Sequence, residues 1–281
     1  MIPQEFEYTA PTSLQETLQL IADGERKILA GGMSLIPMMK LRLATPEHVV
    51  DLGRVPGLNH IVESGGTIQI GATATHHDIE TSAIVRAKCP LLAEAASHIG
   101  DVQVRNRGTI GGSIAHADPA ADYPAALLAL DAQIRLASAT SDRTVSATDF
   151  FIDAFTTAVE PGEIVVEVLL PAEPGNEGHR YEKAPHPASG FAIVGVAARI
   201  QRSGGKITLA RIGVTGMGAH AFRALEAERV LESGGSLDEA IASVGQGEDA
   251  NSDLYASAEY RKHLARVRAK RALEVALRRA S

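Results

Sequence analysis

LAGGMSLIPMMKLRLATP, residues 29–46, sets two glycines between an apolar run fit for a strand and a segment that must turn. The device returns as VRNRGTIGGSIAHADPAADYP, residues 104–124. Glycine lets backbone come close to a ligand or to another chain segment, because no Cβ intervenes and left-handed dihedrals are open to it. Successive exposed N–H groups in such a loop make an anion-binding concavity, to which Ser34, Thr109 and Ser113 add hydroxyl donors. Two such loops fit one elongated ligand gripped from two sides; two tight turns are the other reading of the same residues. Neither loop contains G-x-G-x-x-G or a Walker-type G-K-[ST], so the Rossmann and P-loop readings fall away. What is left is a dinucleotide or phosphate site of a different architecture.

Outward from the first loop, RKILAGG and HVVDLG read as short buried strands. Before them, TSLQETLQLIADG carries a helix start at Ser13 with Glu16 three residues on, apolar residues at helical spacing, and Gly24 as a stop. Ahead of the second loop, HIVESGGTIQIGA alternates as a hairpin and DIETSAIVRAKCPLLAEAASHIG reads as helix. After it, AALLALDAQIRLAS, RTVSATDFF and EIVVEVLLP supply a short helix and several strands. The Pro- and Gly-rich PAEPGNEGHR marks a boundary. Beyond it lie the hairpin FAIVGVAARIQRSGGKITLARIGVTG and then helices only, ending in the basic AEYRKHLARVRAKRALEVALRRA. The expected fold is α+β, in three parts: a small α/β lobe (1–57), a sheet-rich lobe (58–174), and a C-terminal domain of antiparallel sheet plus helix cluster (175–281).

At 281 residues, 45% hydrophobic and 22% charged, the chain can bury a sizeable core. Its formal net charge of -7 offers no general field for phosphate backbones, so nucleic acid is not an expected partner. The single Cys89 can close no internal disulfide and hold no iron–sulfur cluster. The opening MIPQEFEYTAPTS has neither a basic nor an apolar leader region, and no stretch nears the roughly 20 apolar residues that span a bilayer. These features predict a cytoplasmic protein without a membrane span.

Together, AGGMSLIPMMKLRLATPEHVVDL and VQVRNRGTIGGSIAHADPAADYPAALLAL resemble the FAD-binding medium subunit of the molybdenum hydroxylases, the xanthine dehydrogenase and aerobic carbon monoxide dehydrogenase family. The resemblance covers essentially the whole chain and is strongest to the carbon monoxide dehydrogenase type. It implies a two-lobed FAD-binding domain of the PCMH type, followed by a flavoprotein C-terminal domain. It implies a first loop that wraps the FAD pyrophosphate through the backbone of Ala30, Gly31, Gly32, Met33, Ser34 and Leu35. A second loop, Thr109, Ile110, Gly111, Gly112 and Ser113, grips from the other side. Asp122 is then placed to accept hydrogen bonds from ribose or ribityl hydroxyls, and Lys183, in the family-like YEK stretch, stands near the isoalloxazine. A solvated lysine at a strand end is the other reading of Lys183. Phe191 is either an aromatic beside the flavin or a core residue opening its strand.

Two positions depart from the family pattern. Met33 stands where many relatives carry His or Gln, and a thioether is no strong donor. Gly190 stands where many carry an Asp for the flavin ring edge, which puts the tuning of the flavin potential in question. Among other polar residues, His76, His77 and Asp78 are adjacent but lack a further ligand at a metal-site spacing. His116 and Asp118 either touch the cofactor or cap the following helix. No catalytic or metal-binding residue is expected in this chain.

The implied function is an FAD-binding electron-transfer subunit of a heterotrimeric oxidoreductase, taking electrons from a 2Fe-2S partner and passing them to an external acceptor. The partners implied are a large molybdenum-cofactor subunit and a small 2Fe-2S subunit, assembled as a dimer of heterotrimers. Competing readings are a free-standing FAD oxidase or dehydrogenase of the same flavin fold, and a nucleotide-sensing module.

Overall fold

The computed structural model describes residues 2–172 and 176–280. The expected boundary at 174/175 lies outside the described residues. The molecule is built on three principal sheets. The first is parallel, in the order β1 (Glu7–Thr9), β3 (His48–Asp51), β2 (Lys27–Leu29), with helices α1 (Leu14–Leu20) and α2 (Leu35–Lys40) in its connections. Ser13 caps α1 by accepting from the Glu16 N–H, whereas the Glu16 carboxylate accepts from the Thr12 N–H rather than closing a capping box.

The second sheet is antiparallel, in the order β4 (Ile61–Ser64), β5 (Thr67–Gly71), β10 (Ile164–Pro171), β6 (Gln133–Ala137), β7 (Asp142–Ser146). Its helices are α3 (His76–Thr81), α4 (Ala83–Lys88), α5 (Pro90–Ser97), α6 (Val102–Arg105), α7 (Ile110–His116), α8 (Tyr123–Ala129) and α9 (Ala147–Phe150). A two-stranded ribbon, β8 (Phe151–Asp153) with β9 (Thr156–Thr157), follows α9. The stretch 78–100, expected as one helix, is three. Ser82 caps α4, and Pro90 opens α5 because proline cannot continue the helix before it. The main core lies between this sheet and its helices, with α5 and α8 buried along their length.

The third sheet runs β11 (Glu177–Pro185), β12 (Ala192–Ser203), β13 (Lys206–Thr215), β14 (Phe222–Arg223), all antiparallel. The β12–β13 hairpin turns at Gly204 and Gly205, both at positive φ, as its sequence requires. Two strands escape the sequence pattern: β11 begins inside the stretch assigned to a boundary loop, and β14 interrupts the segment expected to be all helix. Helices α10 (Leu225–Glu232), α11 (Leu237–Ser243) and α12 (Ala258–Arg279) complete this part, α12 packing its alanine- and leucine-rich face on β11 and β12. Among the described residues no helix is long and apolar enough to cross a membrane.

Candidate functional site

A cleft of about 360 Å³ opens where the first sheet faces the second. Ala30 and Gly31 line it from one side, Thr73, Thr75 and Thr109 from the other, and the turn after β3 forms its floor. The two glycine loops thus meet at one site. Gly31 is buried, and a Cβ there would overlap the Arg107 carbonyl oxygen and stand 2.8 Å from the Gly108 Cα. The loops therefore touch each other before they touch any ligand.

Chemically the two loops differ. Gly32 turns the first loop at φ +77°, after which Ser34 occupies the N-cap of α2 without using its side chain as a cap. Among the described residues no acceptor is present for the backbone N–H groups of Gly31, Gly32, Met33, Ser34 or Leu35. Orphan amides in succession after a left-handed glycine form the concavity that anions occupy. Met33 is exposed and Leu35 half-buried, so what this loop offers at Met33 is its backbone.

The second loop's amides are already committed. Ile110 donates to the Ala74 carbonyl, Gly111 to Ala72, Ser113 to Thr109, and Gly112 to the Thr109 hydroxyl that caps α7. Ile110 is fully buried. Gly111 is a packing residue: a Cβ there would stand 2.5 Å from the Ala72 Cβ and 2.7 Å from its carbonyl oxygen. Gly112 is exposed on the helix's first turn and Ser113 half-buried. This loop is thus a rigid wall, braced against the second sheet, with Gly112 as its open face.

Asp122 and Lys183 come together, but away from the residues lining the cleft. The Lys183 ammonium donates to the Asp122 carboxylate at 2.8 Å and to the His98 carbonyl at 2.8 Å, and the Tyr181 hydroxyl donates to the other Asp122 oxygen at 2.5 Å. Both residues of the ion pair are buried, which corrects the reading of Lys183 as a solvated lysine: it sits inside β11, not at a strand end. Both Asp122 oxygens accept hydrogen bonds inside the protein. Burial raises the Asp122 carboxyl above the usual range, against the pull of Lys183 and Tyr181. The cluster ties β11 to α5 and to the start of α8.

The remaining candidates resolve as follows. His76 is buried under the second loop, 3.2 Å from the Tyr123 hydroxyl, and burial pushes its imidazole down to about 4. Asp78 instead closes a capping box with Thr75, and His77 points to solvent. No group of metal-binding residues occurs among the described residues. Asp118 does not cap α8; it accepts from the Ala120 N–H in a turn. His116 ends α7 and lies 5.1 Å from the Phe155 ring. Phe191 precedes its strand and is 44% exposed, which sets aside its reading as a core residue. Gly190, beside it, has φ +72°. Sequence reasoning missed Arg54 and Arg107, which line the cleft. Their signal was position alone: one follows the strand HVVDLG, the other precedes the second glycine pair.

Comparison with known proteins bears on this geometry. Residues 4–173 match the family model described as the FAD binding domain in molybdopterin dehydrogenase, and residues 179–276 match the CO dehydrogenase flavoprotein C-terminal domain. The chain belongs to the FAD-binding subunits of the molybdopterin dehydrogenases. Among relatives of this family, the carbon monoxide dehydrogenase medium chain of Hydrogenophaga pseudoflava is 41% identical over 98% of each chain. The glyceraldehyde dehydrogenase medium chain of Sulfolobus acidocaldarius is 38% identical over 95% of this chain and 96% of its own. A solved structure of the Hydrogenophaga pseudoflava enzyme superposes with a TM-score of 0.97 at 41% identity, covering both chains fully. The chain is therefore an oxidoreductase subunit of the medium-chain type with an FAD-binding domain, and the α+β architecture expected from its motifs is the one it has.

Proposed function

We propose that this chain holds FAD between a 2Fe-2S partner subunit and an external electron acceptor in a heterotrimeric molybdenum hydroxylase. The observation that carries the reading is the cleft itself, lined by Ala30 and Gly31 where the first loop and its row of orphan amides begin, and by Thr109 at the start of the braced wall. A phosphate fits a row of unpaired N–H groups that no side chain covers. The loop residues Ala30 to Leu35 on one side, and Thr109 to Ser113 with Gly112 foremost on the other, would hold the pyrophosphate. Asp122 and Lys183 would act toward the ring end of the cofactor by fixing the 181–191 segment, or by exchanging their mutual contact for one to the cofactor. FAD supplies the redox chemistry, and the chain supplies binding, orientation and electrostatics.

The division of labour fits the composition: one cysteine cannot ligate a 2Fe-2S cluster. The clusters and the molybdenum cofactor then belong to separate small and large subunits, in a dimer of such heterotrimers, and substrate chemistry takes place outside this chain. The names of the relatives, medium chain or FAD-binding subunit, agree with that division. The lone cysteine also suits a cytoplasmic setting. Within the chain we assign residues 1–57 and 58–174 to the two lobes of the FAD-binding domain and 175–281 to the C-terminal domain.

Purification of the tagged chain from its native host tests the proposal. FAD, molybdenum and iron should co-purify in one complex with two further polypeptides. A yellow chain that turns over substrate alone would instead indicate a free-standing flavin enzyme, and a chain without flavin would overturn the reading.

A further inference from the structure

The cleft carries two cations that the loop motifs do not account for. Arg54 stands on the floor turn after β3, and Arg107 on the short link between α6 and the second glycine pair; both line the cleft, and both are exposed. Neither guanidinium makes a hydrogen bond or an ion pair within the described residues. Other arginines around the second sheet are differently placed: Arg105 donates to Glu80 and Arg143 to Glu163. No Asp or Glu lines the cleft. The carboxylate nearest in sequence, Asp51, has one oxygen accepting from the Gly53 N–H and the other from the Tyr8 hydroxyl, and Arg54 lies close enough for its charge to act on that hydroxyl without forming an ion pair with Asp51. Two cations with no hydrogen-bond or ion-pair partner among the described residues, lining one cleft with Gly31 in a chain of net charge -7, form a local positive site in a negative molecule.

We propose that Arg54 and Arg107 recognise the cofactor's diphosphate, one from each side of the cleft. The inference rests on the FAD reading above. The orphan amides supply direction but only partial charge, while a diphosphate brings close to two full negative charges that backbone alone leaves uncompensated. A guanidinium presents a planar fork that matches phosphate oxygens, and it stays protonated throughout the working pH range. Because Arg54 belongs to the first sheet's connections and Arg107 to the second's, a diphosphate bound to both would also hold the two sides of the cleft together.

The test is FAD binding by the full-length flavin-free chain, followed by flavin fluorescence from low to moderate salt, for wild type, Arg54→Gln, Arg107→Gln, the double variant and Arg107→Lys. Each glutamine variant should weaken FAD binding about tenfold and the double variant about a hundredfold, with a flatter dependence on salt, as charge-assisted contacts in an open cleft predict. The lysine variant should recover most of the lost affinity. Both arginines are exposed, so thermal unfolding of the flavin-free variants should match wild type. Affinity and salt dependence unchanged in the double variant would overturn the inference while leaving the FAD reading intact. Affinity lost with an unchanged salt dependence would also overturn it, by pointing to packing instead of charge. A wild-type chain that binds no FAD would overturn the reading beneath it.

Discussion

The Cα of Gly31 faces the backbone carbonyl of Arg107 so closely that no side chain fits between them. This contact joins the two glycine loops, and with them the first and second sheets, at the mouth of the cleft. Gly31→Ala should therefore push the loops apart. Because the obstacle is backbone, it cannot rotate away, and overpacking of this kind costs about 1 to 3 kcal/mol. Denaturant unfolding should show that loss, and the purified protein should have lost its flavin absorbance. Retention of both would mean that the loops slide past each other freely.

Gly111 and Gly112 should behave oppositely, although they are adjacent. Gly111→Val would press two methyl groups and a Cβ into Ala72 and the end of β5, so the variant should be destabilised by several kcal/mol and recovered poorly. Gly112→Ala would meet only the Thr109 hydroxyl at 2.9 Å, with Ala30 at an ordinary 3.8 Å. It should cost no more than the Thr109 cap, about 1 kcal/mol, and yet reduce flavin content because it covers the open face of the wall. Unfolding curves and flavin-to-protein ratios for the two variants decide the matter.

The motifs disclosed the site but not the distinct work of its two halves. A glycine pair announces close approach without saying to what. At Gly32 the approach leaves amides open, whereas at Gly111 it packs helix on strand, and only the placement of Ala72 distinguishes them. Elements with strong local signals were legible: the Ser13 cap, the β12–β13 hairpin and the long α12 all stand where their residues put them. The three-way break of 78–100 was also written in Ser82 and Pro90, but a continuous apolar pattern masked it. β14 is two residues long and exists through pairing with β13, a tertiary effect with no local pattern to read. The Asp122–Lys183 pair spans 61 positions in sequence, and nothing local announces such a contact.

His76 makes stability depend on pH. Burial holds its folded-state pKa at about 4, below the ordinary imidazole value of 6.5, so the unfolded chain takes up a proton that the folded one refuses. Its contribution is present above pH 6.5 and is lost as pH falls toward 4, by about 1.4 kcal/mol per pH unit once below the unfolded pKa. Urea unfolding between pH 7 and pH 4.5 should show a shallower decline in His76→Gln than in wild type, a difference of about 2 kcal/mol at the acid end. Parallel declines would place the acid sensitivity elsewhere.

The Asp122–Lys183 pair should prove strongly coupled. Removing the cation with Lys183→Met leaves a buried carboxylate hydrogen-bonded to the Tyr181 hydroxyl, with the His98 ring nearby, and breaking a buried pair from one side costs about 3 to 5 kcal/mol. Asp122→Asn strands the ammonium instead, at a similar cost. The double variant removes both charges and should be far less destabilised than the sum, so a double-mutant cycle should return a coupling of several kcal/mol. The Lys183→Met defect should also depend on pH in a definite sense. With its cation gone, Asp122 has a folded-state pKa raised by burial above the unfolded value. Protonation then relieves the defect below the unfolded pKa, and the cost grows as pH rises through the folded one. Unfolding at pH 5 and pH 8 should show the smaller loss at pH 5. Additive single effects, or a loss indifferent to pH, would mean that the segment carrying Lys183 is held to α5 by packing alone, with no part played by the ion pair.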